Sequence, residues 1–197
     1  TIALLLGYRI LVPIVNALRF RMRVVEVVDE GAGAVSLRIG GRRLDRLHAN
    51  AGQFFLWRFL TRDRWWESHP FSLSAAPDGR SLRITIKNLG DYSSRVATIP
   101  PGTRVVAEGP FGVFTDLIRR RPKVALIGGG IGIAPVRALL EEMEGDIAVV
   151  YRVLGDDDVV FGEELRELAE RKGAAFHLVA GDHRSPENRR LLSPTHL

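Results

Sequence analysis

Hydrophobic and polar positions change period twice along this chain. Residues 1–18 are almost continuously apolar, broken by Arg9 and followed by Arg19, Arg21 and Arg23. A membrane span needs about 20 mostly apolar residues, so residues 1–22 read either as the end of a spanning helix or as an amphipathic helix packed on its own domain. The three arginines stand where cytoplasmic positive charge is expected. From Arg23 onward β-branched runs and period-2 alternation take over. Val24, Val25, Val27 and Val28 precede a turn at Asp29 to Gly33, and Val35, Leu37 and Ile39 then alternate with Ser36 and Arg38. Phe54 to Phe59, Leu82 to Lys87 and Arg104 to Glu108 add three more predicted strands. Short strands separated by glycine and proline turns, without long helices, predict a small antiparallel barrel over residues 23–121.

After Pro122 the period changes again. Lys123 to Ile127 is a short apolar run that enters a glycine cluster, and Val136, Leu139, Leu140 and Met143 then fall on one helical face. Pro135 suits the first helical position. Ile147 to Tyr151 reads as a second buried strand, Phe161, Leu165, Leu168 and Ala169 as a second helix stopping at Gly173, and Phe176 to Val179 as a third strand. This alternation predicts a doubly wound parallel α/β sheet over residues 122–197.

Composition narrows the chemistry. With 46% apolar and 26% charged residues the chain is of ordinary globular make-up, and its net charge of +5 suits anionic ligands or lipid. No nucleic-acid motif accompanies that charge, so nucleic acid is not an expected partner. The absence of cysteine excludes disulfides, thiolate nucleophiles and a cysteine-ligated cluster within these residues. The histidines show no metal-ligand spacing, and no metal site is expected.

Two stretches carry candidate chemistry. Gly128-Gly129-Gly130-Ile131-Gly132-Ile133-Ala134-Pro135 lies between a predicted strand and a predicted helix. At such a turn backbone N–H groups and the positive helix end converge on a diphosphate, and side chains would hold it away. Gly129, Gly130, Gly132, Ile133 and Pro135 are therefore candidate dinucleotide contacts. Where an acidic ribose ligand is usual, about 20 residues on, the chain has Tyr151 and Arg152, and an arginine can receive a 2′-phosphate. About sixty residues before the glycines stands His69-Pro70-Phe71-Ser72-Leu73-Ser74. A flat aromatic there can stack on a flat ring, and a hydroxyl can both donate and accept.

In this order and spacing the two stretches resemble the ferredoxin reductase family, and more closely its ferric reductase and NADPH oxidase branch. Three further segments carry the likeness: Ala51-Gly52-Gln53-Phe54, Lys87-Asn88-Leu89-Gly90-Asp91-Tyr92-Ser93 and Glu108-Gly109-Pro110-Phe111-Gly112. The resemblance implies a Greek-key FAD-binding barrel followed by an NAD(P)-binding domain, and an FAD-dependent NAD(P)H oxidoreductase using NADPH or NADH. It places His69 near the flavin diphosphate, Phe71 against the isoalloxazine and Ser72 at its reactive edge. Pro70, Leu73, Ser74, Lys87, Gly90 and Ser93 complete the flavin side. It further implies membrane attachment at the cytoplasmic face of the cell membrane, with haem upstream of residue 1 leading to ferric iron or oxygen.

The chain departs from the family by lacking its Cys-Gly-Pro segment and terminal aromatic residue. With an N-terminal apolar run that reads as the end of a helix whose beginning is missing, a fragment incomplete at both ends is expected. Two other readings stay open: a soluble flavin reductase feeding a separate electron carrier, and a redox-inactive flavin-binding module.

Overall fold

The computed structural model describes residues 11, 13–62, 65–88, 90–96 and 98–181. The start of the N-terminal apolar run and the chain from residue 182 onward lie outside them. A helix, α1, covers residues 13–20. Its packed side is Pro13, Asn16, Ala17 and Phe20, at helical spacing, and Phe20 enters the barrel core. Leu11, Ile14, Val15 and Leu18 face outward instead. Among the described residues no helix is long and apolar enough to cross a membrane.

The barrel forms from two three-stranded antiparallel sheets. One contains β1 (Arg23–Gly31), β2 (Ala34–Gly40) and β5 (Ser81–Lys87); the other contains β4 (His69–Ser72), β3 (Phe54–Phe59) and β6 (Val105–Phe111). Bridges Arg23 to Arg104 and Leu73 to Ile84 join the sheets at both sides, giving the circuit β1-β2-β5-β4-β3-β6. The alternation seen in the sequence explains the inside. Phe55, Trp57 and Phe59 are buried from β3, and Leu82, Ile84 and Ile86 meet them from β5. Two details differ from expectation. His69 to Ser72 is a strand, which its proline and short length concealed, and Pro there is tolerated because β4 lies at a sheet edge. The strand expected to end at Glu108 runs on through Gly109-Pro110-Phe111 as β6, with a cis Gly109–Pro110 bond and a register shift between Phe54 and Leu56. The short helix α2 (Asp91–Val96) follows β5.

Three parallel strands in the order β7 (Lys123–Gly129), β8 (Asp146–Val153) and β9 (Ala175–Ala180) build the second half. The helices α3 (Ile133–Glu142) and α4 (Gly162–Lys172) connect them. α3 starts two residues before Pro135, because the glycine cluster first makes a 3-10 turn, Gly130–Gly132. Gly173 closes α4 in the left-handed conformation that a residue without Cβ adopts cheaply. Val136, Leu139, Leu140 and Met143 pack on Ile147, Val149, Tyr151 and Val153. Tyr151 is fully buried, and its hydroxyl accepts the Val160 N–H at 3.0 Å. Burial pushes its pKa up.

The two cores are separate apolar clusters; from the barrel side, Ala34 and Ala51 are the buried residues that join the second one. At the junction Gly52 holds φ +82°, and a Cβ there would lie 1.8 Å from the Phe114 carbonyl oxygen and 3.3 Å from Leu139. Gly52→Ala should destabilise the chain by on the order of 2–6 kcal/mol, from the left-handed conformation plus the clash. Equilibrium denaturant unfolding measures it.

Candidate functional site

The glycine cluster separates into two kinds of position. At Gly128 a Cβ would come within 3.0 Å of the Ile133 Cα, so that glycine lets helix α3 close on strand β7. Gly129, Gly130 and Gly132 are different: an added Cβ would meet nothing within 4 Å among the described residues. Gly129 (φ −116°) and Gly132 (φ −62°) also have backbone conformations open to any residue. Neither local packing nor torsion requires glycine at these two places, whereas Gly130 has φ +50°. The open surface lies at the carboxyl end of β7, where the first N–H groups of the 3-10 turn and helix have no intrahelical acceptor. That is the cradle a diphosphate needs.

Arg152 is opposite Gly129 in the parallel register, and neighbours in register share a sheet face. Its Nε is buried without a hydrogen-bond partner among the described residues. A donor with no protein acceptor beside a bare glycine surface suits an anionic ligand.

On the barrel side, β4 pairs with β3 so that Phe71 opposes Phe55 and Ser72 opposes Phe54. Phe71 is half-buried against the barrel core, while Ser72 falls on the outer face with Phe54 and Leu56. His69 stacks on Phe71 with ring centroids 6.4 Å apart and lies 3.8 Å from Glu67. The Trp57 indole N–H donates to the Phe71 carbonyl at 2.9 Å, fixing the strand's position. Pro70 is exposed at the edge.

Other expected contacts are placed elsewhere. Leu73 is fully buried in the barrel core, and its N–H donates to the Gln53 carbonyl. Ser74 is fully buried too; its hydroxyl accepts from Thr85 Oγ1 at 2.7 Å and Arg83 Nε at 3.2 Å. Neither side chain reaches an open surface, because inward packing and the junction between the halves consume both. Lys87 crosses that junction to Asp158 at 2.7 Å. Gly90 and Ser93 bond to each other just before and within α2, the Gly90 N–H donating to Ser93 Oγ at 3.0 Å. Ile133 is fully buried and Pro135 half-buried, so their role at the cradle is to start the helix.

One residue was missed. Arg58 alternates outward from the buried Trp57 and Phe59, and its Nε is buried without a partner among the described residues. It gives the outer face of β3 a donor suited to an anion. A lone arginine inside an otherwise apolar strand was the signal.

The two motifs are brought to one seam. Ser74, two residues past Ser72, accepts at its carbonyl a hydrogen bond from Arg137 Nη1 at 3.1 Å, and Arg137 is on the first turns of α3. Sequence comparison agrees with this two-part site. An FAD-binding domain profile matches residues 18–115 and an oxidoreductase NAD-binding domain profile matches residues 126–193. This chain belongs to the ferredoxin reductase-type FAD- and NAD-binding oxidoreductase modules. The module is 33% identical over 127 residues to a probable dihydroorotate dehydrogenase B (NAD(+)) electron transfer subunit of Methanothermobacter thermautotrophicus, covering 61% of this chain and 44% of that one. It is 31% identical over 170 residues to the ferredoxin reductase component of 3-ketosteroid-9-alpha-monooxygenase of Mycolicibacterium smegmatis, covering 76% and 46%. Over 82 residues it is 29% identical to NADPH oxidase 1 of Rattus norvegicus, 39% of this chain and 15% of that one. It thus spans less than half the length of these curated relatives. Its fold superposes on the FAD/NAD binding domain of nitric oxide dioxygenase from Vibrio cholerae with a TM-score of 0.72 at 24% identity, over 88% of this chain and 82% of that chain. The ferredoxin-NADP+ reductase of Plasmodium falciparum gives 0.67 at 18%, over 81% and 69%.

Because the module's Gly129 has an ordinary backbone conformation and open space above it, Gly129→Ala should leave folding stability within about 0.5 kcal/mol of the original. The same methyl group occupies the cradle, so NAD(P)H affinity should fall at least about tenfold, or ~1.4 kcal/mol. Thermal melting and ligand titration on one preparation check both halves.

Proposed function

We propose that this module takes hydride from NAD(P)H bound over Gly129, Gly130 and Gly132, passes it to FAD held along β4, and hands electrons on singly. The observation that carries this reading is the seam itself: a single side chain, Arg137, reaches from the helix that starts at the glycine cradle to the carbonyl of Ser74. FAD, when bound, accepts a hydride and releases electrons one at a time, which is chemistry no side chain here supplies.

The protein's share is position and electrostatics. Phe71 offers a ring fixed by the Trp57 bond to its carbonyl, and Ser72 offers a hydroxyl that can donate or accept at a ring edge. Arg58 and His69 supply positive or polar groups for the flavin diphosphate. The open glycines and the start of α3 hold the nicotinamide donor's diphosphate. Arg152, whose Nε has no partner among the described residues, favours a donor bearing a 2′-phosphate, hence NADPH.

The acceptor in this reading is haem in a membrane, leading to ferric iron or oxygen, and the module works at the cytoplasmic face of the cell membrane. The stretch of likeness to NADPH oxidase 1 supports it. So do the exposed Leu11 and α1, which turns Ile14, Val15 and Leu18 outward. Beside its end, a cleft of about 370 Å³ is lined by Arg21, Arg23 and Arg104 with Ala17, Leu18, Met22 and Leu60. Apolar side chains next to arginines suit a lipid boundary.

The test is an anaerobic titration of the FAD-loaded chain. NADPH should bleach the visible flavin band at lower concentration than NADH, and a flavin that neither donor bleaches would sink the reading. Ser72→Ala should slow bleaching about ten- to a hundredfold without releasing FAD, the range of one lost hydrogen bond to a charged group. Arg152→Ala should raise the NADPH concentration needed about tenfold or more and leave NADH unchanged.

A further inference from the structure

A cluster of charges at the seam exceeds what either half needs for its own folding. Arg83 comes from β5 of the barrel, Arg137 from α3 and Glu164 from α4. The Glu164 carboxylate accepts from Arg83 Nη1 at 3.0 Å and from Arg83 Nη2 at 3.3 Å, while Arg137 Nη2 lies 2.8 Å from its Oε1. The same two guanidinium groups converge on one backbone atom, the Ser74 carbonyl oxygen, at 2.9 Å from Arg83 and 3.1 Å from Arg137. Arg137 also bonds Glu141, whose carboxylate accepts the Ala76 N–H at 2.7 Å. The Arg83 and Arg137 side chains are only 13% and 7% exposed, so this is a partly dry site in which charges act strongly.

Two like charges held together there repel, and burial together with Arg137 lowers the Arg83 pKa. Among the described residues Glu164 is the one carboxylate that touches both. The Arg83 guanidinium also covers the ring of Phe161 at 4.9 Å, and Phe161 holds φ +62°, a costly conformation for an aromatic residue, at the start of α4. With thin apolar contact elsewhere across the seam, the angle between the halves depends on polar contacts: this cluster, the Lys87–Asp158 pair at 2.7 Å and the Ala51 N–H donating to Glu142 at 2.9 Å, of which the cluster is the most buried.

We propose that Glu164 is a positioning residue: its carboxylate closes the Arg83–Arg137 clamp on Ser74 and so sets the distance between the Ser72 edge and the glycine cradle. The proposal rests on the hydride-transfer reading above. Without the carboxylate the guanidinium groups separate, α3 moves away from Ser74 and the two cofactor sites lose their register. Misplacement of about 1 Å can cost a hundredfold in rate.

The absence of cysteine allows a direct test. Spin labels at Arg42→Cys on the barrel and Glu170→Cys on α4, both exposed, report the interdomain distance without any cofactor. Glu164→Gln should broaden and lengthen that distribution. Arg83→Lys, which keeps the charge but not the fork, should do so as well. Glu164→Asp should restore most of the original distance. In the FAD-loaded chain, Glu164→Gln should slow flavin bleaching by NADPH at least about tenfold while the NADPH dissociation constant and dithionite reduction stay as they were. The long-wavelength charge-transfer band of the reduced flavin with NADP+ should weaken. An unchanged distance distribution in Glu164→Gln overturns the proposal, as does an opened one with an unchanged bleaching rate. A wild-type chain that no donor bleaches would end the hydride-transfer reading instead, and the label distances would still decide the clamp.

Discussion

Two hydrophobic cores that barely touch need something other than apolar burial to set their orientation. In this module that constraint falls on a small set of polar contacts centred on one backbone oxygen. The Ser74 carbonyl receives guanidinium groups from both halves, and Glu164 together with Glu141 balances their two charges. Burial of apolar area has no preferred direction, whereas forked donors on a carboxylate and a carbonyl do. The barrel and the wound sheet each have their own cluster, and the polar seam does most to give them a mutual angle.

The same division of labour is visible in the glycines. Gly52 and Gly128 serve the fold, since any side chain there would strike backbone. Gly129 and Gly132 leave space that nothing among the described residues occupies, which is the room the proposed dinucleotide would use. Adjacent residues of identical type thus answer to different pressures, and the direction in which the missing Cβ would point tells them apart. The arginines divide likewise. Arg83 spends its whole guanidinium on the seam and Arg137 both its Nη groups, whereas Arg58 and Arg152 make no ion pair among the described residues; Arg58, Arg137 and Arg152 each keep a buried Nε without a partner among those residues.

Much of this architecture could be read from local pattern. Phe55, Trp57 and Phe59 alternate cleanly because one side of β3 is core, and the run before Gly128 enters a helix because backbone and glycine chemistry leave little choice. The FAD- and NAD-binding halves followed from motif order. What escaped the sequence depended on distant partners. Arg83 and Glu164 are separated by 81 positions, and Ser74 and Arg137 by 63, with no spacing rule to link them. That is why Ser74, read as a cofactor contact from its place beside Ser72, is buried at the junction. His69 to Ser72 was not legible as a strand because four residues with a proline carry too little periodicity.

The connection between the halves has its own consequence. After β6 the chain folds back so that the Phe114 carbonyl rests where a side chain at position 52 would stand, and Gln53 Nε2 donates to the Gly112 carbonyl at 3.2 Å. Exchange of halves between two copies, a low-cost route to dimers, would have to peel this segment off the barrel before it could straighten. The strap across Gly52 therefore biases each barrel toward the wound sheet of its own polypeptide.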